Sequence, residues 1–230
     1  MKRVLITRPE PGATETAVRL TALGFIPVVA PVLSIIAKDI RPPDHITATV
    51  LTSRNAVAAC PSSFHDRPVF AVGTATAARA REIGFTRVFN ADGDAAALAK
   101  MIAGTLPPAD GSLFLPTGQG QGLDLAKSLR QQGFNVIRRV AYQAKSVPTL
   151  PDAAAIHLRR RQLAAAMFFS GETARHFVHL LKAAGLTDAV RDVEAVSISE
   201  RATMALRTLP WRRISVAAKP NQDAMLVLLT

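Results

Sequence analysis

The residues best able to hold a ligand gather where apolar runs give way to helix-forming segments. In VFAVGTATAARAREIGF, residues 69–85, the apolar stretch Val69–Val72 meets Gly73, then Thr74-Ala75-Thr76, then strongly helical residues. That order is strand, tight turn, helix, and the helix start offers an anion its backbone N–H groups and two hydroxyls. The lysine of a nucleotide-binding P-loop is missing, as is the full dinucleotide glycine pattern. Thr7-Arg8, Ser53-Arg54-Asn55, Thr117-Gly118, Ser170-Gly171 and Ser199 stand at equivalent strand ends. Ligands of open α/β sheets bind beyond the carboxyl ends of the strands. The expected contacts to an anionic ligand are therefore Arg8, Ser53, Asn55, Gly73, Thr74, Thr76, Thr117, Ser170 and Ser199. A helix N-terminus favours an anion by about 0.3–1 kcal/mol, so several are needed.

Conventional catalytic sets are thin. His176 and His179 are spaced to share a helix face, but no acid or third ligand accompanies them, and no metal site is expected there. Ser170 lacks the glycine-flanked elbow of hydrolases. Cys60 is the sole cysteine, so no intramolecular disulfide forms, and with Pro61 behind it and no histidine partner it reads as a structural thiol. GQGQGLDLA, residues 118–126, is glycine-rich before a helix but without lysine, a weak phosphate signal. Tyr142 is the sole tyrosine. On RRVAYQAKS its phenol would either donate a hydrogen bond to a departing oxygen or pack with its hydroxyl at a rim.

These turns need a scaffold, and the chain repeats one. Of 230 residues, 49% are hydrophobic, 20% charged and only 5% aromatic, a mixture that favours α/β layers. RVLITRPEPGATETAVRLTALGFIPVV and SLFLPTGQGQGLDLAKSLRQQGFNVIR align without a gap, placing Gly24 on Gly133, Phe25 on Phe134 and Leu20 on Leu129. TVLTSRNAV pairs with AMFFSGETA, and FAVGTATAARA with VSISERATMAL, each a strand and turn before a helix. Consecutive βαβ units imply parallel sheets covered by helices on both faces. Proline-bearing links follow PVLSIIA and RRVAYQAKS, so the chain is expected to cross between domains twice. The expected fold is two similar, flavodoxin-like parallel-sheet α/β domains joined by a two-stranded β-ladder hinge. One domain takes residues 1–34 plus 148–230, the other 40–140, with hinge strands in 31–40 and 136–147. Their carboxyl edges are expected to face a shared cleft.

The net charge of +11 suits nucleic acid, an anionic membrane or a small polyanion. The densest basic run, HLRRRQ (residues 157–162), reads as a solvated helix face without interleaved aromatics, which disfavours nucleic acid. MKRVLITRPEPG has no signal-peptide apolar core, and GFIPVVAPVLSIIA is too short for a bilayer span. A cytoplasmic monomer without nucleic-acid or membrane partners is expected.

In order along the chain, VLITRPEPGATETAVRLTALGFIPVVAPVLSI, VLTSRNAV, VFAVGTATAARAREIGFTRV, VAYQA, MFFSGETARHF and AVSISERAT resemble uroporphyrinogen-III synthase. The resemblance implies cyclisation of hydroxymethylbilane, a linear tetrapyrrole bearing acetates and propionates, to uroporphyrinogen III. The terminal ring is inverted through a spiro intermediate and water is lost, with no cofactor. By position Tyr142 matches the tyrosine proposed to assist hydroxyl loss, Thr76 the threonine of the VGxAT turn, and Ser53 and Ser170 the strand-end serines. Ser199-Glu200-Arg201-Ala202 departs from the family's G-P-T-T-like turn. A non-catalytic binding protein closing on a polyanionic metabolite stays open as the alternative.

Overall fold

Two runs of alternating strands and helices organise the chain. The computed structural model describes residues 1–229. It divides into two units, Met1–Ser34 with the chain from Lys145 onward, and Ile35–Ala144. The first opens with β1 (Arg3–Ile6), α1 (Gly12–Ala22) and β2 (Ile26–Val29), and β3 (Leu33–Ala37) leads out of it. The second holds β4 (Ala48–Leu51), β5 (Val69–Ala71), α2 (Thr74–Glu82), β6 (Val88–Asn90), α3 (Ala95–Thr105), β7 (Ser112–Gly118), α4 (Leu123–Gln131) and β8 (Asn135–Ser146). The first then resumes with α5 (Asp152–Arg159), β9 (Leu163–Phe168), α6 (Gly171–Ala183), β10 (Glu194–Ser197), α7 (Glu200–Leu206), β11 (Arg213–Val216) and α8 (Gln222–Val227).

The sheet of the first unit runs β2-β1-β9-β10-β11, every neighbouring pair parallel. That of the second runs β8-β7-β4-β5-β6, again parallel throughout, with β3 added beside β8. Read from these ends, the two orders match place for place. They differ in where the chain enters: at the β1 position in one and at the β4 position in the other, so one series is a circular permutation of the other. Gly24 and Gly133 end the equivalent helices α1 and α4 with φ of 81° and 90°, left-handed values that a side chain disfavours.

Strands buried on both faces need apolar residues throughout, and β4 (ATVL) is buried at all four positions. Its side chains alternate between faces. Ala48 and Val50 meet Leu98, Ile102, Leu125 and Leu129, while Leu51 joins Val57, Phe64, Phe114 and Tyr142 on the other side. In the first unit Val4 and Ile6 pack with Leu20, Met225 and Leu226. Phe168, Phe177 and Trp211 form an aromatic cluster with centroids 5.2–6.1 Å apart.

The stretch 136–147, expected as a hinge strand, lies almost wholly in β8, one strand of 12 residues continuous with the strand that follows Gly133. Pro31 interrupts the equivalent stretch between β2 and β3, whereas Val140 occupies that place in β8 and keeps its donor. The helix expected after Ser53 is a 3₁₀ helix, Arg54–Ala59. Cys60, ahead of Pro61, is held extended at φ −93° and ψ 120°, which stops the turn. Only the start of HLRRRQ is helical: α5 ends at Arg159, Arg161 has a φ of 49°, and Gln162 Oε1 lies 2.8 Å from His157 Nδ1.

Glu194, 6% exposed at the start of β10, is the one acid drawn into the sheet among the described residues. Its Oε1 accepts from Ser215 Oγ at 2.6 Å and Arg213 Nη2 at 2.7 Å, and Oε2 from Arg212 Nη2 at 3.3 Å. Burial alone pushes this carboxyl up, but the Ser215 hydroxyl and the two guanidiniums outweigh it and hold it below the ordinary range. A lowered folded value stabilises the protein above the unfolded glutamate value and is lost as pH falls through the folded one. Glu194→Gln is expected to cost about 1–2 kcal/mol at neutral pH. In urea unfolding, that deficit should shrink as the pH falls below the ordinary glutamate range; a deficit independent of pH would contradict the assignment.

Candidate functional site

In the second unit β8, β7, β4 and β5 lie side by side, so the turns after them share one sheet edge. After β5, Gly73 is extended (φ −161°) and α2 begins with no side-chain acceptor on its first N–H groups. Thr74 is exposed and tied sideways: Asn90 Nδ2 donates to its hydroxyl, which donates to Asp92 Oδ1, both at 3.2 Å. Thr76, 6% exposed, lies on the inner side of α2 with Ala77 and Ala80. After β4, Ser53 Oγ accepts from the Asn55 N–H at 3.2 Å, and both residues are half-buried. Thr117 is fully enclosed and its hydroxyl donates to the Arg139 carbonyl at 3.4 Å.

Tyr142 stands in register with Gly118 at the carboxyl end of β7. It is 3% exposed, and its hydroxyl donates to Gln121 Oε1 at 3.0 Å. Gln121 escaped the sequence reading. It sits in the glycine-rich run considered for phosphate, where the side chain, not only the backbone, matters.

In the first unit β1, β9 and β10 are neighbours and bring Arg8, Ser170 and Ser199 to one edge. Arg8 is engaged with its own unit: its guanidinium lies 4.0 Å from the Phe169 ring centroid, and Nη1 donates to Gln222 Oε1 at 2.9 Å. Thr7 is enclosed, donating to the Met167 carbonyl at 2.7 Å. Ser170 caps α6, accepting from the Thr173 N–H at 3.1 Å. Ser199 precedes α7 without capping it through its side chain. Glu200, which follows, is turned along α7 to Arg207 Nη2 at 2.9 Å.

Capping differs from strand to strand, and Ser170 already caps α6 after the inner strand β9. Asp94 caps α3 after β6, and Asn221 caps α8 after β11, each at the outer strand of its sheet. Helices α2, α4 and α7, which follow inner strands, have no side-chain cap. No side chain accepts from their first N–H groups, although the Thr76 and Ala202 N–H groups donate to the Gly73 and Ser199 carbonyls at 3.0 Å. Among the described residues no three His, Cys, Asp or Glu side chains are grouped to hold a metal ion. Burial pushes the Cys60 thiol up to about 12, so it is no nucleophile. A depression lined by His45, Asp66, Arg67, Arg87 and Asp110 lies at the amino ends of β4, β5 and β7, away from these turns.

The cap on α6 has a measurable worth. Ser170→Ala is expected to lower stability by about 1 kcal/mol, and Ser170→Asp, which keeps an acceptor, to lose much less. Equal unfolding midpoints for the Ala variant and the parent protein would remove the cap from the account.

A family model described as uroporphyrinogen-III synthase HemD matches residues 14–227. Two solved structures share the fold. Uroporphyrinogen-III synthetase from Helicobacter pylori has 16% identity and a TM-score of 0.64, covering 100% of this chain and 98% of its own. A mutant uroporphyrinogen III synthase from the extremely thermophilic bacterium Thermus thermophilus has 18% identity and a TM-score of 0.52, covering 100% and 97%. No curated protein matches the sequence. Because the family model spans nearly the whole sequence, the chain belongs to the uroporphyrinogen-III synthase family.

Proposed function

We propose that the chain cyclises hydroxymethylbilane to uroporphyrinogen III, inverting the terminal ring through a spiro intermediate with loss of water. The family is a cyclising hydro-lyase of tetrapyrrole biosynthesis. The observation that carries the reading for this chain is the set of uncapped helix starts at α2, α4 and α7 beside hydroxyl-bearing strand ends. Such an edge suits a ligand carrying many carboxylates.

The hydroxyls and the phenol at these edges fit the chemistry. The pyrrole nitrogen stabilises the cation left when the hydroxymethyl group departs, so a strong acid is not needed. The oxygen leaves as water, taking one proton, and the Tyr142 phenol is the proposed donor. The spiro centre regains aromaticity by breaking its old bond to the neighbouring methylene, and the proton is returned when the ring's unsubstituted α-carbon bonds that methylene and loses its hydrogen. What remains is to hold the tetrapyrrole so that the terminal ring attacks through its substituted carbon, a task of orientation. Arg8, Ser53, Asn55, Gly73, Thr74, Thr76, Thr117, Ser170 and Ser199 are the proposed cradle. Within it the enclosed Thr76 and Thr117 side chains shape the turns, leaving the neighbouring N–H groups to meet carboxylates. The match in strand order supports reading both units as flavodoxin-like, with β3 and the end of β8 as their two-stranded hinge. No helix among the described residues is long and apolar enough to cross a membrane. A cytoplasmic monomer is the proposed working state.

Freshly prepared hydroxymethylbilane closes unaided to the non-inverted isomer. With the protein, isomer III is expected; the non-inverted isomer alone would leave only a binding protein. Tyr142→Phe is expected to slow turnover by about tenfold or more while isomer III remains the product. Undiminished turnover by that variant would take the phenol out of the mechanism.

A further inference from the structure

The loop between β7 and α4 is built around one contact. Gly118, Gly120 and Gly122 alternate with Gln119 and Gln121. Gly120 and Gly122 have φ of 74° and 71°, so the chain doubles back tightly. A Cβ on Gly118 would stand 2.9 Å from both Gln121 Oε1 and Tyr142 Cε2, so glycine there lets carboxamide and phenol ring meet.

Around that contact the backbone is pinned. The Gln119 N–H donates to the Tyr142 carbonyl at 2.9 Å, and the Gln121 N–H to the Gly118 carbonyl at 3.0 Å. Arg138 Nε donates to the Gln121 carbonyl at 2.9 Å, and Lys38 Nζ to Gln119 Oε1 at 3.0 Å. Gln121 itself is exposed while Tyr142 is buried. A buried ring thus presents its hydroxyl to an uncharged acceptor that substrate can replace.

We infer that Gln121 is a positioning residue for Tyr142: its carboxamide oxygen aims the phenol O–H and marks the place that the departing oxygen of the substrate takes. The inference rests on the reading of Tyr142 as proton donor. A carboxamide suits the task because it accepts the hydrogen bond without taking the proton, and because it adds no negative charge beside a polyanion.

The experiment uses the fact that the chain has a single tyrosine. A tyrosine that donates a hydrogen bond absorbs at longer wavelength, so second-derivative ultraviolet spectra of the folded protein report on the hydrogen bonding of this phenol. Gln121→Met, close in shape but without the oxygen, is expected to shift the tyrosine band to shorter wavelength and lower kcat about tenfold, with KM changed less than about twofold. Gln121→Glu, which keeps an acceptor oxygen, is expected to keep the band. Combined with Tyr142→Phe, Gln121→Met is expected to cost nothing further in kcat, because both remove the same interaction. Additive losses, or an unmoved band with unmoved kcat in Gln121→Met, would overturn the inference. A Tyr142→Phe variant with full turnover would instead overturn the reading beneath it, whatever the spectra show.

Discussion

A helix that follows a parallel strand begins with N–H groups that nothing in the helix can accept, and the rest of this structure depends on how they are treated. Where β6 and β11 close the outer side of each sheet, Asp94 and Asn221 satisfy them. After the inner strands, Ser170 does so at α6, while at α2, α4 and α7, behind β5, β7 and β10, no side chain does. Donors left unpaired at a sheet edge tolerate solvent but favour an anion. A net charge of +11 adds a diffuse field of the same sign. In the proposed reading the edges therefore favour carboxylates before any side chain is invoked.

Each edge repeats because the sheet repeats, in permuted chain order. One consequence is local to β8. The first-unit series is broken by Pro31, whereas β8 runs on through Val140 to Tyr142 and beyond. That extension carries the sole tyrosine to the end of β7, where Gly118 leaves room for its ring. The permutation and the missing proline together supply the one phenol at an edge otherwise made of amides and hydroxyls.

Much of this was legible in the residues. The gapless match of Gly24 to Gly133 announced two βαβ units because a left-handed helix end needs glycine in both. The turns after β4, β5, β9 and β10 were visible as apolar runs ending in Ser53, Gly73, Ser170 and Ser199. What escaped depends on contacts far apart in sequence. Arg8 reads as a free cation, yet Gln222 and Phe169 engage it. Glu194 looks like a surface acid until Arg213 and Ser215 surround it. Gln121 cannot be told from Gln119 without knowing which one meets the phenol, and the 3₁₀ helix after Ser53 turns on Pro61, eight positions on.

The central claim is that amide-lined edges hold a polycarboxylate while the substrate's own reactivity makes the bonds. The dependence of KM and kcat on salt concentration tests it most directly. Screening acts on binding of the charged chain, so KM is predicted to rise several-fold between low and near-molar salt, with kcat and the isomer III product little changed. A KM indifferent to salt, with kcat falling instead, would contradict the account.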